Sequence, residues 1–355
     1  MTKTLFRSIL SDVLHSKLSS VRDSIDSHNY NCNERDDDLR TGLHLAVQSS
    51  SLDILNLLIS HNFYLGAGPS INSLDTESFS PLHLACSQGD AFISHVSLLL
   101  NHNADLHILT KKRYTPLFLA VESGSLNIVS LLLDRGSYVT LTTQKTNRFK
   151  SALHIAAKYN QRGVLDVLLK HGGIERNIRE PKYGGTCLHV AVMSNHLDCL
   201  RLMIDRGVSL FKLTDYSWSV LHLAVEYGLC EIIDYFLSLP NDVIKKLVNI
   251  KTRTNRSVLH TAIKARCRNE NFDRFLNLFE QMIDLSDVNL QDRQGLTPLH
   301  LAVGSGQLKF VKLLLKKVPE LILSNTNFHT TSFTFVYWFS LVMSKLAISV
   351  RLYGF

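Results

Sequence analysis

The chain has 355 residues, 45% of them hydrophobic and 19% charged, with a formal net charge of +7. That length exceeds one compact core, so it calls for several domains or for an array that grows by adding units. Six cysteines (Cys32, Cys86, Cys187, Cys199, Cys230 and Cys267) show no C-x-x-C spacing. They argue against a disulfide framework or a thiolate metal site and for free thiols in a reducing compartment.

The chain opens with "MTKTLFRSILSDVLHS", which has no long apolar run before Asp12. A cleaved signal peptide is therefore not expected. Residues 5–28 have the pattern of a second helix from a degenerate leading repeat.

From Thr41 one seven-residue phrase returns eight times. It reads "TGLHLAV" at Thr41, "SPLHLAC" at Ser80, "TPLFLAV" at Thr115 and "SALHIAA" at Ser151. It then reads "TCLHVAV" at Thr186, "SVLHLAV" at Ser219, "SVLHTAI" at Ser257 and "TPLHLAV" at Thr297. The starts lie 39, 35, 36, 35, 33, 38 and 40 residues apart. A period in the thirties marks a solenoid built from one supersecondary unit.

Each column has a physical role. The first is Ser or Thr, suited to an N-cap. The second is Pro at 81, 116 and 298, where a missing N–H costs nothing. Leu at the third position buries, and Ala at the sixth lets neighbouring helices approach. Nine residues after the cap stands Gly89, Gly124, Gly228 or Gly306, or else Asn160 or Asn195. Both residue types tolerate the left-handed conformation that ends a helix. A second apolar helix follows, expected to stop at Asn62, Asn103, Gly136, Gly172 and Gly207.

The fourth column is His44, His83, His154, His189, His222, His260 and His300, with Phe118 in the remaining place. Ligands a whole repeat apart cannot converge on one ion, whose donors stand at about 2 Å. The histidines are therefore read as architecture, each ring beside its cap and bonded to loop backbone. No phosphate-binding glycine loop, G-x-S-x-G or HExxH is present, so neither catalysis nor a cofactor or metal is expected.

Function is then expected in the loops that precede each cap. The first two are acidic, with Asp36, Asp37 and Asp38, then Asp75 and Glu77. The sign turns basic in "LTKKRY" (Lys111, Lys112, Arg113, Tyr114), "QKTNRFK" (Arg148, Phe149) and "IKTRTNR" (Arg253). Lys182, Tyr183, Tyr216 and Trp218 complete the set of expected partner-binding residues. Segregated charge of this kind steers a partner and fixes its register. The net positive charge invites nucleic acid, but the bases are spread over several loops without a reading motif, so direct binding is not expected.

The phrases at Ser80, Thr115 and Thr297 resemble the "TPLHLA" signature of the ankyrin repeat, and the likeness covers about residues 29–320. It implies an all-α solenoid of helix–turn–helix pairs, curved, with hairpin loops along one edge. Within it, "SALHIAAKYNQRGVLDVLLKHGG" (151–173) and "GTCLHVAVMSNHLDCLRLMIDRG" (185–207) are similar to middle repeats of the IκB family and of the inhibitory half of NF-κB precursors. The long seventh copy (257–285), with Arg266 in the stop position, fits the same pattern. That resemblance implies binding and regulation of a Rel-type transcription factor, with acidic early loops taking up its basic nuclear-localisation segment. The chain departs from the pattern in lacking a DSGxxS motif before Thr41, where only "DSIDS" (23–27) stands, and in lacking an acidic tail.

After Leu323 the repeat vanishes, and "SFTFVYWFSLVMSKLAISV" (332–350) is apolar but interrupted by Lys345. The tail reads either as an improvised hydrophobic cap or alternative end, or as a membrane anchor of a larger channel-like protein or adaptor. The expected organisation is a leading cap at 1–40, an array at 41–323 and the atypical tail at 324–355. A chain of this kind is expected to bind proteins in the cytoplasm or nucleus, to be monomeric by itself, and to meet a membrane only through its tail.

Overall fold

The structure, a computed structural model, describes residues 10–27, 35–65, 71–137, 151–171, 175–180, 182–265 and 271–317. It divides into two compact units, Met1–Ile178 and Arg179–Phe355. Every regular element among the described residues is a helix.

The first unit begins with α1 (Leu18–Asp26), which packs on α3 through a face that buries Val21 and Ile25. Four helix pairs follow: α2 (Gly42–Gln48) with α3 (Leu52–Leu65), α4 (Pro81–Ser87) with α5 (Ile93–Asn101), α6 (Pro116–Glu122) with α7 (Leu126–Asp134), and α8 (Ala152–Lys158) with α9 (Arg162–Lys170). Within this unit each first helix packs on its own partner and on the first helix of the next copy. The second helices pack on one another in the same order.

The second unit contains α10 (Cys187–Met193) with α11 (Leu197–Asp205), α12 (Val220–Glu226) with α13 (Cys230–Leu237), α15 (Val258–Ile263) with α16 (Phe272–Leu285), and α17 (Pro298–Gly304) with α18 (Leu308–Lys317). An extra helix, α14 (Asn241–Val248), is inserted after α13 and packs on α16. Towards the end of this unit the core turns aromatic. Phe272, Phe275 and Phe279 meet Phe310 edge-on at 5.9, 6.4 and 4.7 Å between centroids, a preferred geometry for aromatic pairs.

The column residues explain these pairs. Each cap residue is extended, as at Ser80 (φ −90°, ψ 165°), and the helix begins at the next residue. The sixth-column alanines are at most 1% exposed, because the first helices of successive copies meet there and leave no room for a longer side chain. The stop residues lie in the left-handed region: Gly89, Gly124, Asn160, Asn195, Gly228 and Gly306 all have φ between 55° and 98°. Ser50 does the same in the first copy (φ 58°), a position that a search for Gly and Asn passes over.

The second stops hold at Asn103, Gly136 and Gly207, while Gly172 lies outside the described residues. Asn62 is a correction, because α3 runs through it to Leu65. Asparagine inside a helix costs less than about 1 kcal/mol relative to alanine, and no glycine or proline stands between Leu52 and Leu65 to end the helix. The second copy accommodates its two extra residues as a 3₁₀ turn, Asp90–Phe92.

Candidate functional site

The loops are held by the histidine column, one bond on each side of the ring. The cap N–H can only donate, and in the first copy Thr41 N–H donates to His44 Nδ1 at 3.1 Å. Nδ1 is therefore unprotonated, Nε2 carries the hydrogen, and Nε2–H donates to the Phe79 carbonyl of the next loop at 3.0 Å. The same tautomer follows for His189 and His260, whose Nδ1 accepts from Thr186 and Ser257 N–H. Their Nε2–H donates to Trp218 O at 3.2 Å and Leu296 O at 2.9 Å. His83 likewise reaches Tyr114 O at 3.1 Å, and His222 reaches Arg256 O at 3.4 Å. In the copies at Ser151 and Thr297, His154 and His300 accept the cap N–H in the same way. Burial pushes His83 and His222 down to about 4. It also lowers His44, His260 and His300. These rings are neutral near pH 7, and their nitrogens are engaged in holding the fold.

Each described loop is a tight turn with a fixed internal frame. In six of the described loops the residue five before the cap accepts from the turn's own backbone. Asp36 Oδ1 takes Asp38 and Arg40 N–H at 3.0 and 2.8 Å, and Asp75 Oδ1 takes Glu77 and Phe79 N–H at 2.9 and 2.8 Å. Asp292 repeats the pattern. Thr110, Thr214 and Thr252 supply a hydroxyl in the same place. Two residues before the cap the backbone is left-handed, at Leu39, Ser78, Arg113, Gly184, Ser217, Asn255 and Gly295.

Among the described residues, successive loops within each unit are joined by one backbone bond. Thr76 N–H donates to Asp38 O and Lys111 N–H to Glu77 O in the first unit. In the second, Asp215 N–H donates to Tyr183 O, Arg253 N–H to Tyr216 O and Arg293 N–H to Thr254 O. Arg179 fastens the first two loops of the second unit. It bonds Gly184 O, Leu213 O and the Asp215 carboxylate, the last at 2.7 Å.

This frame sorts the expected partner-binding residues. Asp36 and Asp75 direct carboxylate oxygens into their own turns, and Asp36 also pairs with Arg40 at 2.8 Å. Asp37 and Asp38 are exposed, with Asp38 meeting Arg40 at 3.2 Å. Glu77 bridges to Lys111 at 3.7 Å, both well exposed, so the acidic and basic loops of the first unit touch. Lys112, Arg113 and Arg253 are exposed. Tyr114 stacks on Phe118 at 4.4 Å and 14°, covering the ring that stands where the other copies have histidine. Arg148 and Phe149 lie outside the described residues.

In the second unit Tyr183, Tyr216 and Trp218 come together. They line a cavity of about 250 Å³ with Glu180, Met193, Glu226 and Tyr227. Those last four escaped the search of the loops. Met193 and Glu226 stand seven residues after their caps, as the last residues of their helices, and Tyr227 eight, just past its helix. An exposed methionine or tyrosine at the end of an otherwise apolar helix phrase was the available signal.

Cys86, Cys187, Cys199 and Cys230 are buried and take part in no disulfide. Burial raises the Cys86 thiol and pushes Cys187 up to about 12. Among the described residues no group of three or more His, Cys, Asp or Glu is arranged to hold a metal. No helix there is long and apolar enough to cross a membrane. Segment 332–350 lies outside the described residues.

Comparison with known proteins agrees with this geometry. The family model for ankyrin repeats in three copies matches at residues 43–143, 153–246 and 221–325. A transient receptor potential cation channel subfamily A member 1 homolog from Caenorhabditis elegans is 29% identical over 47% of this chain and 13% of its own length. The nuclear factor NF-kappa-B p105 subunit of Gallus gallus is 32% identical over 46% of this chain and 16% of its own. NF-kappa-B inhibitor delta of Mus musculus is 27% identical over 56% of this chain and 66% of its own. The chain thus spans less than two thirds of each of these relatives. Ankyrin repeats form a scaffold for protein–protein interaction, and the chain belongs to the ankyrin repeat family.

Proposed function

We propose that the protein is a non-enzymatic scaffold that binds and regulates a Rel-type transcription factor, in the manner of an IκB protein. The carrying observation is the division of labour in the loops. Turn-forming carboxylates and hydroxyls point inwards, while Asp37, Asp38, Lys112, Arg113 and Arg253 are exposed on a frame fixed by hydrogen bonds. The likeness to p105 and to NF-kappa-B inhibitor delta supports the choice of partner. On this reading the array occupies residues 41–323 behind a cap at 1–40, works in the cytoplasm or nucleus, and needs no cofactor.

The test is co-elution of the purified chain with a recombinant Rel domain, followed by titration with a Lys/Arg-rich nuclear-localisation peptide. Changing Asp37, Asp38 and Glu77 to Asn, Asn and Gln should weaken that peptide by about tenfold at low salt, which is about 1.4 kcal/mol. Asp36 is left alone, because its loss would damage the turn rather than the surface. Equal affinity for a scrambled peptide of the same charge, or no co-elution, would leave only the general scaffold.

A second reading is favoured by the channel relative: the chain serves as the ankyrin portion of an adaptor or larger membrane protein, with 324–355 in contact with the bilayer. Carbonate washing of membranes separates the two, since a peripheral IκB-like protein leaves with the wash.

A further inference from the structure

We propose that the aromatic cavity of the second unit is a receptor for one arginine side chain presented by a protein partner. This goes beyond the Rel reading and requires only that the array binds proteins.

The cavity is built by register. Tyr183 and Tyr216 each stand three residues before a cap, in loops joined by the Asp215 N–H to Tyr183 O bond of 2.9 Å. The two rings therefore occupy equivalent places one repeat apart. Trp218 closes one side and is fixed by its carbonyl, which accepts from His189 Nε2–H at 3.2 Å. Met193 and Tyr227 line it from the C-terminal ends of the first helices, and Glu180 brings a carboxylate to the lining. Tyr183, Met193, Tyr216 and Tyr227 are 41%, 51%, 55% and 41% exposed. That is a large aromatic surface left open within one concavity.

The charge decides the occupant. The lining holds two glutamates and no lysine or arginine. In the adjoining loop Arg179 is paired with Asp215 at 2.7 Å, and Lys182 lies against the Tyr183 ring at 4.6 Å without entering the lining. An anionic side chain would meet the carboxylates, and an apolar one would strip water from them without replacing it. A cation gains from both parts of the wall, since ring faces attract positive charge within about 6 Å. Among cations, a planar guanidinium stacks on indole and phenol while offering paired N–H donors to a carboxylate, which a compact ammonium cannot do.

The test uses the full chain with Trp338→Phe, which leaves Trp218 as its only tryptophan. Trp218 emission is titrated at low salt with the N-acetyl methylamides of arginine, lysine and citrulline, against free N-acetyl-tryptophanamide as the quenching control. A saturable response to the arginine probe is expected, with citrulline, its neutral isostere, at least about tenfold weaker and lysine between them. Glu180→Gln, checked for unchanged helical signal, should weaken arginine several-fold. Citrulline binding as tightly as arginine, lysine binding more tightly, or a response no greater than the free-tryptophan control would overturn the assignment. Because the probes are single residues, the cavity can fail while Rel binding stands, and the reverse.

Discussion

The copies at Ser80 and Thr115 are neighbours with the same cap chemistry and the same left-handed turn, yet they solve one problem in two ways. In the first, His83 links the cap N–H to the Tyr114 carbonyl of the next loop. In the second, Phe118 has no polar atom, and Tyr114 lies flat over it at 4.4 Å. What the position requires is a planar ring wedged between cap and loop. Hydrogen bonds are one way to hold it, and a second ring is another.

Acid should expose the difference most strongly. The buried histidines have lowered pKa values, so below the usual 6.5 the unfolded chain binds protons that the folded chain refuses. Their contribution is fully present above pH 6.5 and is lost as pH falls towards about 4, the value for His83 and His222. Summed over several copies, the loss should reach several kcal/mol between pH 7 and 4.5 in urea unfolding. His83→Phe should flatten that pH dependence; a slope unchanged by the substitution would mean that His83 takes up its proton as readily in the folded chain as in the unfolded one.

Removing one ring altogether is the next test. His222→Ala leaves the Ser219 cap and Arg256 O without their partner in a fully buried place. The cost should be about 1–3 kcal/mol, without change in metal content. Stoichiometric zinc lost with the histidine would contradict the structural role.

The aromatic solution is weaker. Tyr114→Ala should cost about 0.5–1.5 kcal/mol from the lost stack, and Tyr114→Phe close to nothing. Equal losses would point to the hydroxyl instead.

The smallest effect has the opposite sign. Ser217 has φ 57° in the turn position that Gly184 and Gly295 fill in other copies. Ser217→Gly should therefore raise the thermal midpoint slightly, by the equivalent of a few tenths to 1 kcal/mol. A fall would show that the hydroxyl is needed.

Much of this was legible in the sequence, because caps, stops and column residues act through local backbone rules. Thr41, Ala46 and Gly124 announce their roles by type and spacing alone. Ser50 and Asn62 misled for one reason: propensity biases a helix end without deciding it. Asp36 and Asp75 were read as surface charge because a carboxylate's sign is visible in sequence and its hydrogen bonds are not. The recurrence of Asp or Thr five residues before the cap was the missed clue. The cavity was half legible. Its aromatic tips lie in loops, but Glu226 and Tyr227 arrive from a helix whose apolar phrase draws attention elsewhere.

The single bond between successive loops also governs where the chain can accept new sequence. A residue added between Asp292 and Thr297 would shift Arg293 N–H off Thr254 O and carry the cap out of phase. The copies have instead grown on the other side of the repeat, as the turn at Asp90–Phe92 and the helix Asn241–Val248 record. An epitope tag spliced between Leu239 and Pro240 should thus leave a folded, antibody-accessible protein. The same tag placed after Arg293 should yield one cleared by cellular proteases.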